Sequence, residues 1–376
     1  MYVDNGKISS RQTFRLYVFD LMGIATLLLP PYLSKLCGID GIWAILIGTG
    51  AGVLYLIYLG WIMKRMQMDA CTYLRENAGR LFRFMSLGLI WFHSIITAGF
   101  CAYVFSNLMQ YTLVKESKFV VVLFVIVLVS AFAVSGGIES RARVYEVLFF
   151  PALIPYIAMM LATIKDFELI YMEDVFHVSG RQLAEGSFLV FLFLTPLFYS
   201  LFLIGEKEKN YGRNVVKTIL CSIGLSAIIL LLSYVLLVGN FGGNALATMR
   251  FPVVTIMSTI QFKGNFLKRM DALMLGVWFF TLYALLNLHL HYGVLLSKEL
   301  ILKDERKKDE EKQEERTKWW QLTVPAVFVF VVAYMLQQYR DSLTLFLDYY
   351  VYVAVPIMLV LPLLFVIAGR KNESKR

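Results

Sequence analysis

The chain has 376 residues, 59% of them hydrophobic and 17% charged, with a formal net charge of +9. A mean hydropathy of +0.66 excludes an ordinary soluble domain. Charge-free runs longer than the roughly 20 residues of a spanning helix recur along the whole chain, so the class is all-α and polytopic. In such a protein the positive charge reports orientation rather than a nucleic-acid partner.

The first apolar run, Phe14 to Leu36, contains Asp20, Gly23, Pro30 and Pro31. It is too long for the core of a signal peptide, holds an acid, and is followed by further runs, so it is read as a crossing. Proline lacks a backbone N–H and clashes with the preceding turn. At roughly 1.5 Å per residue, Gly23 to Thr26 falls near the bilayer midplane. The sequence therefore predicts a discontinuous helix here, tolerated only where it is buried in protein or lines a cavity. An intramembrane acid is costly and functional by default, so Asp20 is a coupling or gating candidate. The structural alternative is a pair with Arg15.

Nine further spans follow. Residues 41–62 are charge-free, and 64–83 carry five basic residues. Residues 84–112 form a span whose one ionisable group is His93, either cavity-facing or bonded to a neighbouring helix. Spans 119–138 and 145–164 flank the ESRAR turn. An acidic connection, 165–186, leads to span 187–205, with Thr195-Pro196 at its centre. Span 217–239 is followed by a long connection whose PVVTIMSTI stretch is expected to lie at the surface as a short helix. Span 270–296 carries Thr281 and Tyr283, which would either line a pathway or simply bond backbone, and His289 and His291, read as interfacial. The charged stretch 298–318 is a solvated helical linker with pairs such as Asp304–Lys308. Spans 319–339 and 345–369 end the chain. On this map 26 of the 36 Lys and Arg residues share the side of the N-terminus, which predicts cytoplasmic N- and C-termini. Four cysteines without paired spacing argue against a disulfide framework or a metal site.

The Thr195-Pro196 break mirrors the one in the first span, with five spans before it and four after. Interrupted spans at matching places in two halves point to an inverted repeat of five plus five helices, with the site between them at the midplane. A simple proline kink is the alternative. The halves would be 1–165 and 187–369. Unpaired N–H groups at one half-helix end favour a carboxylate, and free C=O groups at the other favour an ammonium or cation. A zwitterionic amino acid suits that chemistry. Gly23, Ile24, Ala25, Thr26, Thr195, Pro196 and Tyr199 are the candidate ligand-binding residues. Gly23 would let backbone approach the ligand, and Thr26 would cap the second half-helix. Coupling or gating candidates are Asp20, His93 and Thr281. No nucleophile–base pair or metal-ligand cluster appears, so neither an enzyme nor a bound cofactor is expected.

KISSRQ (7–12), GIATLLLP (23–30) and FPVVTIMSTIQFKGNFLKRMDALMLGVW (251–278) together resemble the endospore germination permeases of the amino acid–polyamine–organocation superfamily. Arg269, Asp271 and Trp278 carry the most specific part. The resemblance covers the whole chain. It implies ten helices in an inverted repeat of the LeuT type and residence in the inner spore membrane. It also implies assembly as the B subunit of a germinant receptor with an A subunit and a lipoprotein C subunit. Such a subunit senses a small germinant, often an amino acid. The chain departs from the family pattern in having Ala25 in the first break and no acid in LTPLFYSLFLIG (194–205). A secondary transporter of amino acids or related solutes, driven by H⁺ or Na⁺, is the second reading.

Overall fold

The computed structural model describes residues 8–173, 175–203, 211–259, 270–301, 319–339 and 341–373. Among them there are helices and no strands. Eight stretches are long and apolar enough to cross a membrane. One, Ser10–Met66, contains two helices, and a shorter apolar helix lies at Phe119–Val134.

Helix α1, Ser10–Cys37, starts at a capping box in which Ser9 and Gln12 satisfy each other's backbone N–H groups. It ends at Gly38, whose φ of +51° suits glycine. Contrary to the sequence expectation, α1 is not interrupted: it stays helical through Gly23, Pro30 and Pro31. Proline deletes only its own N–H, and its φ is already helical. In dry surroundings every other backbone bond is best kept inside the helix. Nearly all of α1 from Leu16 to Leu33 is buried, so the surroundings are dry. Thr26 caps no half-helix; its hydroxyl donates back to the carbonyls of Met22 (2.8 Å) and Gly23 (3.3 Å).

The elements that follow are α2 (Gly41–Met66), α3 (Ala70–Asn77), α4 (Arg80–Thr112), α5 (Phe119–Val134) and α6 (Gly137–Ala162). Then come α7 (Gly180–Leu192), a 3₁₀ stretch at Thr195–Phe202, α8 (Tyr211–Phe241), α9 (Gly243–Leu246), α10 (Pro252–Thr259) and α11 (Met270–Ile301). The chain closes with α12 (Trp319–Gln338), α13 (Ser342–Tyr349), a π turn at Tyr350–Ala354, and α14 (Val355–Glu373). Helix α1 is central and packs against α6, α7, α8 and α11; α4 packs along α11 and α12.

The second expected break is present. Helix α7 stops at Leu192 and the chain continues as a 3₁₀ stretch. Pro196 has no N–H for the Leu192 carbonyl four residues back. The hydroxyl of Thr195 donates to that carbonyl instead, at 2.7 Å. A third irregularity was not expected: the π turn at Tyr350–Ala354. Pro356 follows it closely and cannot donate to the Tyr352 carbonyl, which favours a wider turn there.

The helix at PVVTIMSTI forms, but it is not superficial. Val253, Ile256 and Met257 are buried against α1, α8 and α11, because alternate sides of a short apolar helix are best covered by protein. On the same side of the bundle, Asp40 accepts from the backbone N–H groups of Phe176, His177 and Val178 at 2.9, 3.0 and 3.3 Å. One carboxylate thus clamps the acidic connection onto the α1–α2 turn. The expected 303–318 linker lies outside the described residues.

A candidate binding cavity at the broken seventh helix

A partly open pocket with about 380 Å³ of empty space, open solvent included, lies where α1, α4, α11, the α7 break and the π turn meet. Ile24 closes it from α1, and Thr97, Phe100 and Cys101 from α4. Leu192, Thr195 and Pro196 line it at the break. Leu285 and His289 come from α11, and Phe346 and Tyr350 from the last crossing. Small-molecule sites are mostly apolar with a few placed polar groups. The lining has that character, and no Asp, Glu, Lys or Arg is part of it.

The break positions these groups. Because α7 stops at Leu192, Thr195 and Pro196 turn into the space that a continuous helix would fill. The π turn does the same for Tyr350, whose hydroxyl lies 3.3 Å from that of Thr97. Phe100 and Phe346 stack at 3.5 Å between centroids, making one apolar wall.

Behind the cavity runs a buried polar chain. Tyr199 OH lies 3.0 Å from His289 Nδ1 and 2.8 Å from Ser94 Oγ. Ser94 Oγ in turn donates to the Ile90 carbonyl at 2.9 Å. Tyr292 stacks on Tyr199 at 4.3 Å. His93 Nδ1 lies 3.0 Å from Tyr349 OH, and its ring stands edge-on to that of His289, 6.0 Å away. Both Nε2 atoms are buried with no hydrogen-bond partner among the described residues. His289 is therefore not interfacial: it is 1% exposed. Its Nδ1 anchor on Tyr199 pays for burying the ring, a partner on another helix that its own helix cannot reveal.

The expected site residues divide accordingly. Ile24, Thr195 and Pro196 line the cavity. Tyr199 supports it through His289, and His93 packs against that same histidine. Gly23, Ala25 and Thr26 are not among the lining residues. Gly23 is a contact point between helices: a Cβ there would lie 2.8 Å from Thr281 Cβ and 2.9 Å from the Thr281 carbonyl carbon and oxygen. Thr281 is thus a packing partner of Gly23, its hydroxyl directed at the Trp278 carbonyl (3.3 Å). Tyr283 OH donates to the Val129 carbonyl (3.1 Å). Trp278 is fully buried, edge-on to Tyr156 at 5.5 Å. Arg269 and the side chain of Asp271 lie outside the described residues. Sequence reasoning missed Thr97, Leu285, His289 and Tyr350.

Asp20 does not pair with Arg15. Arg15 is held by Glu146, donating to its carbonyl at 2.9 Å and pairing with its carboxylate at 3.6 Å. The partner of Asp20 is Arg141, from the ESRAR stretch, which is helical within α6 rather than the expected turn, and both side chains are buried. The Arg141 guanidinium also donates to the Ala284 carbonyl of α11 at 3.1 Å. Arg15 lies only five residues before Asp20 on the same helix, but Glu146 on α6 neutralises it. Arg141, five residues earlier on α6, has its side chain buried beside Asp20. A single cation thus ties α1, α6 and α11 together.

Residues 7–343 match the family described as "Spore germination protein". The chain belongs to that family. Among its relatives in Bacillus subtilis (strain 168), spore germination protein B2 is 23% identical over 280 residues, covering 72% of this chain and 74% of the relative. Spore germination protein A2 is 20% identical over 297 residues, covering 74% and 77%. Two solved transporters share the fold. One is a Na⁺-coupled sialic acid symporter in a substrate-bound outward-open state, with a TM-score of 0.67 at 11% identity. It covers 90% of this chain and 76% of the symporter. The other is Mhp1, a nucleobase-cation-symport-1 family transporter in a closed conformation, with a TM-score of 0.61 at 11% identity, covering 94% and 76%. The chain is an integral membrane protein whose family and fold relatives are permeases and transporters rather than enzymes.

Proposed function

We propose that the chain is the membrane subunit of a nutrient germinant receptor. It binds a small germinant such as an amino acid in the cavity beside the α7 break, and binding triggers germination. The observation that carries this reading is the cavity itself: a germination-family chain has a mostly apolar pocket at the broken helix. Ligand binding biases a two-state equilibrium between arrangements of the bundle, which requires different affinities for the two states. The cavity walls come from α1, α4, α7, α11 and the last crossing, so any change in their relative placement alters those affinities.

In this reading the chain crosses the inner spore membrane ten times with both termini cytoplasmic. Helices α1 and α2 count as two crossings, and α5 as one. The two five-helix halves form an inverted repeat, and an A subunit and a lipoprotein C subunit complete the receptor. The fold likeness to cation-coupled symporters favours a second reading, a secondary transporter of amino acids driven by H⁺ or Na⁺. Against it stands Arg141, which puts a tethered charge, not an exchangeable ion, between α1 and α11. The test compares spores lacking and carrying the gene across a nutrient panel, beside uptake of labelled amino acids into proteoliposomes. Gene-dependent germination without uptake supports the sensor. Uptake by the chain alone supports the transporter.

A further inference from the structure

The buried polar chain beside the cavity fixes which nitrogen of His289 carries its proton. The Ile90 carbonyl can only accept, so the single proton of Ser94 Oγ is directed to it at 2.9 Å. Ser94 then offers only lone pairs to Tyr199, and the Tyr199 hydroxyl donates to Ser94 at 2.8 Å. With its proton committed, Tyr199 presents a lone pair to His289 Nδ1 at 3.0 Å. Nδ1 is therefore the protonated nitrogen, and in a neutral ring the other must be an acceptor. That atom, Nε2, is buried and has no partner among the described residues. His289 lines the cavity whereas Tyr199 does not.

The other polar atoms of the cavity lean the same way. Thr195 spends its proton on the Leu192 carbonyl and keeps its lone pairs. Thr97 and Tyr350 share one hydrogen bond. No Lys or Arg is present to receive a carboxylate. Acceptors dominate, so the matching ligand end is a donor.

We propose that His289 Nε2 accepts a hydrogen bond from the amino group of the ligand, and that the cavity selects a small primary amine with an apolar body over the matching carboxylate. This rests on the reading that the cavity is the ligand site. The apolar wall of Ile24, Leu192, Leu285 and Phe100 takes the aliphatic body. Tyr199 is a positioning residue: it sets the tautomer and does not touch the ligand.

The test uses the purified full-length chain in detergent with three probes of one carbon skeleton: L-leucine, 3-methylbutylamine and 4-methylpentanoate. Thermal stabilisation against concentration gives apparent affinities. 3-Methylbutylamine is expected to bind most tightly, L-leucine more weakly because its carboxylate has no cationic partner, and the acid not at all. His289→Leu should weaken both amines by roughly 10- to 100-fold, the range for losing a hydrogen bond to a charged group. His289→Gln, whose amide oxygen still accepts, should recover part of that loss. Tyr199→Phe should lower the amine-to-acid affinity ratio, which a merely structural loss would leave unchanged. Equal binding of the acid, unchanged amine affinity in His289→Leu, or no binding of any probe overturns the assignment. Leu192→Trp, which fills the cavity, separates this from the site itself. Probe binding that survives Leu192→Trp removes the cavity as the ligand site. Binding that Leu192→Trp abolishes but His289→Leu leaves intact removes only the role of His289.

Discussion

The Asp20–Arg141 pair gives the sharpest energetic prediction. Both side chains are almost wholly buried, at 2% and 6% exposure. Removing one partner of a buried ion pair leaves an uncompensated charge, which costs about 3–5 kcal/mol. Replacing both with apolar groups of similar size is often neutral. Asp20→Leu and Arg141→Met should therefore each destabilise by about 3–5 kcal/mol, and the double variant by far less than their sum. With an unfolding entropy of about 2.1 cal/mol/K per residue over 376 residues, each single change lowers Tm by about 4–6 °C. The native tryptophans report this in a detergent-solubilised thermal scan. The double-mutant cycle isolates the coupling, since two residues in direct contact should depart from additivity. Strictly additive single effects would refute the reasoning, because they would mean that neither group feels the other's charge. The same pair clamps α1 and α11 against α6, so the single variants should also lose nutrient-triggered germination before they lose membrane insertion.

Gly23→Leu should cost about 1–3 kcal/mol by overpacking, because its side chain would meet the Thr281 backbone. The thermal scan checks it, and an unchanged Tm would mean α1 and α11 are not in close contact there. Asp40→Ala should free the 176–178 loop, which loses three charge-assisted bonds worth about 1.5–3 kcal/mol each. Limited proteolysis reads this as faster cleavage near residues 173–178, and equal cleavage rates would remove the clamp.

Much of the architecture is legible in the sequence, because hydropathy and charge spacing report the bilayer directly. The α7 break was legible too, since Pro196 has a local and unavoidable effect on the Leu192 carbonyl. The same logic failed at Pro30 and Pro31. There the outcome depends on how completely the neighbours bury the helix, which no single segment encodes. Asp20 was recognisable as unusual, but its partner lies 121 positions away, whereas Arg15 looked suitable by being close. His289 was misread for a similar reason: its place in span eight says nothing of Tyr199 and Ser94, which come from two other elements. Thr97 and Tyr350 are ordinary membrane-helix residues until the π turn and the α7 break bring them together. Pro356 was the one available clue to that turn.

The central claim is that the cavity beside the α7 break is where the nutrient acts. Leu192→Trp tests it most directly in spores, with Phe150→Trp, an exposed position on α6, as the control. At matched protein level, Leu192→Trp spores should no longer respond to the nutrient that the unaltered gene makes effective, while Phe150→Trp spores respond normally. An unchanged nutrient concentration dependence in Leu192→Trp spores would contradict the account.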